Sequence, residues 1–287
     1  MERDHDICIV GLGIRVPDHL TRETEAVIRA GNEVLYLDTG IATRPLLESL
    51  CPRVTALFEE SYRPERSRLD AYHRMSVKVV EAALDHSPVT LAIHGHPIVF
   101  CYPPFLIAEM ASLLGLKVAV LPGISSMDSL FADLMLDPGA NGILMYEATD
   151  MLLRQRPLLP DVPTLVWQVG NLETRLHSTR TSRPERLERF LAYLLRAYRP
   201  DHPVTAVHVS PHRLVPSTVA TFPLAEIGAH AGGLHAGITL YLPPARTRPI
   251  VDFDLMQKID DAEHLRAITL EAGALDPRAR GGCLDQS

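Results

Sequence analysis

Two histidines flank one glycine in the run HGHP at residues 94–97, directly after an apolar stretch. On a strand, residues two apart point to the same face, so His94 and His96 have the geometry of a metal-ligand pair. A metal site needs a third and usually a fourth ligand, and the nearby Cys101 and His86 have no recognisable metal-site spacing. We therefore predict no metal site.

Gly95 and Pro97 indicate a turn at the carboxyl end of a buried strand, where open α/β sheets bind ligands. The run LPGISS at residues 121–126 repeats this arrangement: a strand ends, Pro-Gly turns the chain, and Ser125 or Ser126 begins a helix. The free N–H groups of such a helix suit a polar or anionic ligand group. Together the two turns predict one cleft lined by two strand ends.

A third glycine turn follows the first predicted strand. The G-x-G at Gly11 and Gly13 lacks the third glycine of a dinucleotide fingerprint, so by itself it is a weak indication of a dinucleotide site.

Alternating strands and helices occupy the first part of the chain. The predicted strands are 6–14, EVLYLD, 54–58, 89–95 and 117–123, and the predicted helices include one capped by Thr21 and stopped by Gly31, one over about 64–84 and one over about 104–114. This alternation predicts a parallel sheet covered on both faces. We assign residues 1–123 to an N-terminal α/β domain.

The rhythm loosens after Gly123. Strand-like runs at 143–148, 164–171, 204–210 and 238–244 surround one amphipathic helix at about 184–198, which predicts a second α/β domain over residues 124–245. Residues 246–287 are expected to form a helical extension, with a helix near 254–272, and a tail.

These motifs, in this order over residues 6–244, resemble the tetrapyrrole methylase family of S-adenosylmethionine (SAM) methyltransferases. The matching motifs are the glycine turn at Gly11 and Gly13, GHPIVF, and LPGISS. The histidine in GHP, with SSMDSLFADLMLDPG, MYEATD and WQVGN, is similar to one branch of that family, the borosin peptide backbone N-methyltransferases. The resemblance implies an α/β, two-domain tetrapyrrole-methylase-like fold with a parallel-sheet N-terminal domain, a mixed-sheet C-terminal domain and SAM in the cleft between them. It also implies a homodimer.

The resemblance carries three catalytic residues to this chain, namely Tyr62, Arg68 and Tyr72. Arg68 and Tyr72 are four residues apart on a predicted helix, so their side chains share one face. Pro64 near the start of that helix leaves Tyr62 in the preceding turn. Read from the residues alone, the favoured interpretation is that Arg68 is a solvated surface charge and Tyr72 a ring at the edge of the core.

The resemblance also implies the residues that bind SAM. They are Gly95, His96, Pro97, Val99, Phe100, Ser126, Met127, Tyr146, Gln168, Gly237 and Thr239. His94 lies where members of the branch can carry an aromatic residue, so no catalytic role is carried over to it.

A backbone amide becomes nucleophilic when its nitrogen loses a proton or its carbonyl is polarised. Arg68 would stabilise negative charge on the amide oxygen, and a tyrosine would accept or relay the proton. Several fungal members of the branch carry their substrate at their own C-terminus. The final residues here, ALDPRARGGCLDQS, contain no apolar run of the kind found in N-methylated cores, so we expect a ribosomal precursor peptide supplied in trans. We expect the helix near 254–272 to hold that peptide or the partner subunit.

Composition excludes other classes of protein. The net charge is −7 and the isoelectric point about 6.0, so there is no global positive field for nucleic acid. Apolar residues make up 46% of the chain, but no run reaches the roughly 18 residues of a membrane span. The first residues, MERDHD, do not resemble a signal peptide, and the four cysteines form no C-x-x-C pair. We expect a cytoplasmic protein with reduced thiols.

Two other functions stay open at this point. One is C-methylation of a tetrapyrrole or another small molecule; a carboxylate-rich ring would need several cations, and the candidates are Arg15, Arg44, Arg63, Arg66, Arg68 and Arg74. The other is a catalytically idle SAM-binding sensor or scaffold.

Overall fold

Five parallel strands form the first sheet, in the order β3-β2-β4-β1-β5. They are β1 (Ile7–Gly11), β2 (Glu33–Leu37), β3 (Val54–Ala56), β4 (Val89–Ile93) and β5 (Val118–Leu121). The computed structural model describes residues 5–270. The predicted parallel sheet is confirmed, and it brings the carboxyl ends of β1, β2, β4 and β5 to one edge.

Helices cover both faces of this sheet, so every residue of the central strands β1 and β4 is buried. The helices are α1 (Arg22–Ala30), α2 (Thr43–Leu50), α3 (Phe58–Ser61), α4 (Arg68–His86) and α5 (Pro103–Leu113). Ile7 and Ile9 pack in a core with residues of α4 and α5, whereas Cys8 and Val10 pack with α1 and α2. Thr21 caps α1 as predicted, since its side chain accepts a hydrogen bond from the Thr24 amide.

The second sheet is mixed, in the order β6-β7-β10-β8-β9. Its strands are β6 (Leu144–Glu147), β7 (Thr164–Trp167), β8 (Pro203–His208), β9 (Thr218–Pro223) and β10 (Thr239–Leu242). Only β6 and β7 are parallel neighbours among these strands. The helices of this region are α6 (Ser126–Leu134), α7 (Pro138–Asn141), α8 (Ala148–Leu153) and α9 (Glu188–Leu194), with 3₁₀ helices at Val169–Asn171, Pro184–Leu187 and Leu224–Gly233. The predicted mixed sheet is confirmed.

By its internal contacts the chain divides into two units, Met1–Ala245 and Arg246–Ser287. Both sheets belong to the first unit. The described part of the second unit contains α10 (Phe253–Lys258) and α11 (Ala262–Ile268). The predicted tail beyond residue 270 lies outside the described residues.

Several predicted boundaries are wrong. The helix predicted from 64 begins at Arg68, because the Ser67 side chain accepts from the Leu69 amide and caps it there. The strand predicted over 164–171 ends at Trp167, where Gln168 takes a positive φ and a 3₁₀ turn follows. The helix predicted over 184–198 is a 3₁₀ turn followed by α9, and the helix predicted over 254–272 is two helices, because Asp261 caps a new one.

Three glycines pack against one another at the carboxyl edge of the first sheet. A Cβ on Gly11 would lie 2.7 Å from the Cα of Gly123 and would also collide with the Gly95 carbonyl oxygen. Gly95 itself has a φ of +73°, which favours glycine. The turns that follow β1, β4 and β5 therefore meet with no room for a side chain between them.

This contact predicts a large stability cost for Gly11→Ala. We expect a loss of about 3 kcal/mol in the free energy of unfolding, because the new Cβ meets backbone that has little freedom to move. Urea denaturation followed by circular dichroism measures it. The matched control is Gly233→Ala, where the added Cβ meets no other group within 4 Å in the described part of the chain. Equal unfolding free energies for the two variants would contradict the packing argument.

Candidate functional site

A cavity of about 530 Å³ lies between the carboxyl edge of the first sheet and the second sheet. Its lining comes from the turns after β1, β2, β4 and β5, from α3 and α4, and from the ends of β7, β8 and β10. A cavity at the carboxyl ends of parallel strands is where the turn motifs predict a ligand site. Its volume is in the range of small-molecule and cofactor sites.

Aromatic rings form one wall of this cavity. Tyr62 and Tyr72 meet edge to face with centroids 6.3 Å apart, and Tyr72 lies 6.2 Å from Tyr102. The His177 ring packs on Tyr62 at 4.7 Å. These contacts give each tyrosine a fixed neighbour on at least one side, so their hydroxyl groups are held in place.

Burial raises the pKa of Tyr62 strongly, and the neighbouring Tyr72 raises it further, although Arg68 lowers it in part. Removing a phenol from water disfavours its charged form. The Tyr62 hydroxyl therefore keeps its proton at physiological pH and can donate a hydrogen bond.

Arg68 is the first residue of α4, and a segment far along the chain holds its side chain. Its Nη2 donates to the Thr174 carbonyl at 2.8 Å, and its amide donates to the Arg175 carbonyl at 2.9 Å. The His177 amide donates to the Arg66 carbonyl, so residues 174–177 run antiparallel to 65–68 as a short main-chain ladder. This ladder fixes the guanidinium at the cavity wall and places His177 over Tyr62.

The opposite wall consists of small groups and an aromatic stack. The Phe100 ring lies on Trp167 with centroids 5.0 Å apart and an interplanar angle of 26°. Trp167 Nε1 is buried and has no hydrogen-bond partner among the described residues. Ser125 caps α6, and the Asp128 carboxylate accepts from the Ser125 amide in return, so Ser126 and the N-terminus of α6 face the cavity.

The structure brings most of the predicted site residues together around this cavity. Those that line it are Tyr62, Arg68, Tyr72, Gly95, His96, Val99, Phe100, Ser126, Gln168, Gly237 and Thr239. Three predicted cofactor residues do not line it. Pro97 is buried within the turn, Met127 of α6 packs against the core, and the Tyr146 hydroxyl donates to the Pro157 carbonyl at 2.9 Å.

The lining residues that were not assigned a role from the sequence include Asp38, Tyr102, Trp167 and His177. Tyr102 lies two residues after GHPIVF and Trp167 is the first residue of WQVGN, so proximity to these recognised motifs is a signal that would have found both. Asp38 follows β2 in the run EVLYLD, outside any motif. His177 belongs to a segment with no regular structure, and nothing in the sequence shows that it pairs with residues 65–68.

The fold is that of an α/β protein with a ligand cavity between a parallel sheet and a mixed sheet. Residues 6–209 match the model of a family described as Tetrapyrrole (Corrin/Porphyrin) Methylases, so the chain belongs to the tetrapyrrole methylase family. The resemblance drawn from the turn motifs is thereby confirmed.

Curated relatives lie in the predicted branch. The chain is 30% identical over 250 residues to a Gymnopilus junonius protein described as a methyltransferase and ribosomally synthesized type I borosin cyclic peptide precursor, covering 85% of this chain and 58% of that protein. It is 30% identical over 261 residues to the Omphalotus olearius methyltransferase and omphalotin A precursor, covering 88% of this chain and 61% of that protein. The chain thus spans about three fifths of the length of these relatives.

Solved structures share the fold. A Thermus thermophilus uroporphyrin-III C-methyl transferase complexed with S-adenyl homocysteine has a TM-score of 0.58 at 17% identity, with 83% of this chain and 96% of that chain covered. The cobalt precorrin-4 methyltransferase CbiF has a TM-score of 0.59 at 13% identity, with 83% and 95% covered. At these identities the likeness establishes the two-sheet architecture.

The raised pKa of Tyr62 predicts the outcome of a tyrosinate titration. Up to about pH 10.5, the absorbance gained on titrating the folded protein should be the same for wild type and Tyr62→Phe, because the buried phenol stays protonated there. In denaturant, wild type should gain the absorbance of one more phenolate. Circular dichroism confirms folding at each pH. A deficit in folded Tyr62→Phe would show that Tyr62 ionises in the ordinary range.

Proposed function

We propose that this chain is a SAM-dependent methyltransferase that N-methylates backbone amides of a ribosomal precursor peptide. The observation that carries the proposal is the cavity in which Tyr62, Arg68 and Tyr72 stand on one wall and the glycine turn at Gly95 contributes another. Family membership and relatives named as borosin methyltransferases support it.

The residues of the wall opposite the tyrosines fit SAM. Gly95 lets a ligand lie against the backbone, the N-terminus of α6 places Ser126 at the cavity, and Trp167 Nε1 is a buried donor with no hydrogen-bond partner among the described residues. We propose that Gly95, His96, Val99, Phe100, Ser126, Gln168, Gly237 and Thr239 hold the cofactor, with Pro97, Met127 and Tyr146 acting through packing nearby. When bound, SAM supplies an electrophilic methyl group on a sulfonium.

The aromatic wall suits an amide. Two of the Arg68 nitrogens are engaged by the carbonyls of Thr174 and Arg175, and Nη1 has no partner among the described residues. That nitrogen and the neutral Tyr62 hydroxyl would donate to the amide oxygen and stabilise the charge it develops as the nitrogen loses its proton. Tyr72 would position the same group. Packing of the rings holds the amide plane against the wall, which aligns its nitrogen for methyl transfer.

The distribution of cations favours a peptide over a tetrapyrrole. Of the six arginines that a carboxylate-rich ring would use, Arg68 is the one that lines the cavity within the described residues. Arg15, Arg44 and Arg74 bind the Ser210 carbonyl, the Glu48 carboxylate and the Ser61 carbonyl instead. One cation matches one amide oxygen better than several carboxylates.

Further parts of the proposal concern partners and location. We propose a homodimer, supported by the apolar side chains that α5 exposes, of which Leu113 is 82% exposed, and testable by sedimentation equilibrium of the full chain. We propose that the peptide is a separate chain, which the co-expression experiment below tests. We propose a cytoplasmic location, which agrees with the free thiols of Cys8, Cys51 and Cys101 in the described part of the chain. No helix in the described range of residues is long and apolar enough to cross a membrane.

The proposal predicts methylation of a peptide in trans. A candidate precursor peptide encoded by a neighbouring reading frame is co-expressed with this chain and fragmented in a mass spectrometer. We expect mass increments of one CH₂ group on backbone nitrogens of that peptide, and none on residues 246–287 of the chain itself. Increments on the chain's own residues would overturn supply in trans. Methyl transfer to a uroporphyrinogen-like ring instead would overturn the peptide assignment.

Arg68→Ala should lower kcat for the peptide about 10²-fold or more, because it removes the donor for charge on the amide oxygen. The Kd of SAM, measured by isothermal titration calorimetry, should stay unchanged. Arg29→Ala is the matched control, since Arg29 is an exposed helical arginine that pairs with Glu25 away from the cavity. Equal peptide turnover in both variants would remove Arg68 from the mechanism.

A further inference from the structure

The chemistry proposed above does not yet assign an acceptor for the amide proton. The Tyr62 hydroxyl is neutral, and burial raises the pKa of the Cys101 thiol to about 12, so neither supplies a base at neutral pH. Arg68 is a permanent cation. His96 Nδ1 already accepts from the Ile98 amide at 3.3 Å, within the turn that faces the cofactor side.

His94 and Asp38 form a pair on the cavity lining. His94 Nδ1 lies 3.2 Å from Asp38 Oδ1, and both residues line the cavity that Tyr62, Arg68 and Tyr72 share. The His94 side chain is 44% exposed, whereas the Asp38 side chain is 6% exposed. The imidazole is thus accessible from the cavity, while the carboxylate of Asp38 is buried.

The fold fixes both members of this pair. Asp38 follows the last residue of β2 and His94 follows the last residue of β4, and the two strands are hydrogen-bonded neighbours. The His94 amide donates to the Leu37 carbonyl at 3.1 Å, which continues the ladder to the pair itself. Thr43 Oγ1 and the Gly40 amide, at the start of α2, also donate to the Asp38 carboxylate.

These donors keep Asp38 ionised. Burial alone would raise the pKa of this carboxyl group, but the hydrogen bonds from His94 and Thr43 outweigh it and lower the pKa below its usual value. A carboxylate that accepts from Nδ1 holds the neutral imidazole in the tautomer with an unprotonated Nε2. That nitrogen is then available to accept a proton from a group in the cavity.

We propose that His94 is the general base that removes the amide proton, and that Asp38 is the positioning residue that orients it. This inference rests on the proposed function. The amide N–H bond breaks and its proton goes to His94 Nε2. The nitrogen uses the electron pair to bond the methyl carbon, and the carbon–sulfur bond breaks with its electrons going to sulfur. The imidazolium, stabilised by the Asp38 carboxylate, then releases its proton to solvent through its exposed side.

The same strand offers a matched control. Glu33 begins β2 at its other end, and its Oε2 lies 2.7 Å from His86 Nε2, so the chain has a second histidine–carboxylate pair outside the cavity lining. Removing that pair perturbs the same strand with no access to the substrate.

The test compares His94→Ala, Asp38→Asn, their double variant and His86→Ala, with SAM and the synthetic precursor peptide identified by co-expression. We expect His94→Ala to lower kcat about 10²- to 10⁴-fold with little change in the Kd of SAM, and added imidazole to restore part of the rate. His86→Ala should keep the wild-type rate. Asp38→Asn should lower kcat in the wild-type background and have no further effect in His94→Ala, because Asp38 acts through His94.

A second readout does not use activity. Long-range ¹H–¹⁵N NMR spectra of the histidine side chains should show His94 as the Nδ1–H tautomer, and Asp38→Asn should change that signal and leave the His86 signal in place. Wild-type methylation with an undiminished rate in His94→Ala, or loss without any rescue by imidazole, would overturn the assignment while the proposed function stands. Absence of methyl transfer by wild type to any peptide or ring overturns both.

Discussion

The close approach of three turns at Gly11, Gly95 and Gly123 is the constraint on which the site depends. No Cβ fits at Gly11 or Gly123, so the segments that leave β1, β4 and β5 touch through their backbones. The Gly13 and Gly95 main chains also hydrogen-bond to each other, which ties the first turn to the HGHP turn. Because these turns are locked together, His94, His96, Phe100 and Ser126 start from a common rigid base, and a ligand bound there meets preorganised groups.

A second constraint closes the site from the other side. The pairing of residues 65–68 with 174–177 holds Arg68 by main-chain carbonyls and sets His177 on Tyr62. These carbonyls carry partial negative charge, so they orient the guanidinium without neutralising it as a carboxylate would. Arg68 therefore keeps its full charge for a group in the cavity. Arg68 and Thr174, which meet at the wall of the cavity, are 106 residues apart in the chain.

Much of this arrangement can be predicted from the sequence, because it depends on interactions between residues that are close in the chain. The buried strands, the Thr21 cap, a serine cap at residue 125 or 126 and the glycine turns follow from residue type and spacing, and the order of these motifs along the chain carries the family resemblance. What the sequence does not show is contact at long range. The His177–Tyr62 packing and the Asp38–His94 pair depend on strand order and on a ladder between irregular segments, which have no periodicity to recognise.

Two elements differ from the prediction for local reasons. The predicted start of α4 is too early because both Pro64 and Ser67 are signals for a helix start, and the helix begins after the Ser67 hydroxyl cap. The edge strand β9 was missed because most of its residues are exposed, so it lacks the alternation of a half-buried strand.

Burial divides the chemistry of the cavity between its groups. A tyrosine removed from water keeps its proton, so a buried Tyr62 gains strength as a donor and loses any role as a base. A base must then come from another group on the cavity lining, and the partly exposed His94 imidazole beside the buried Asp38 carboxylate is the one that we propose. On the proposed function, the amide oxygen meets donors on the aromatic wall while its nitrogen must meet an acceptor. An amide presents both groups in one plane, and the edge of the sheet between α4 and the end of β4 is where this structure offers both partners.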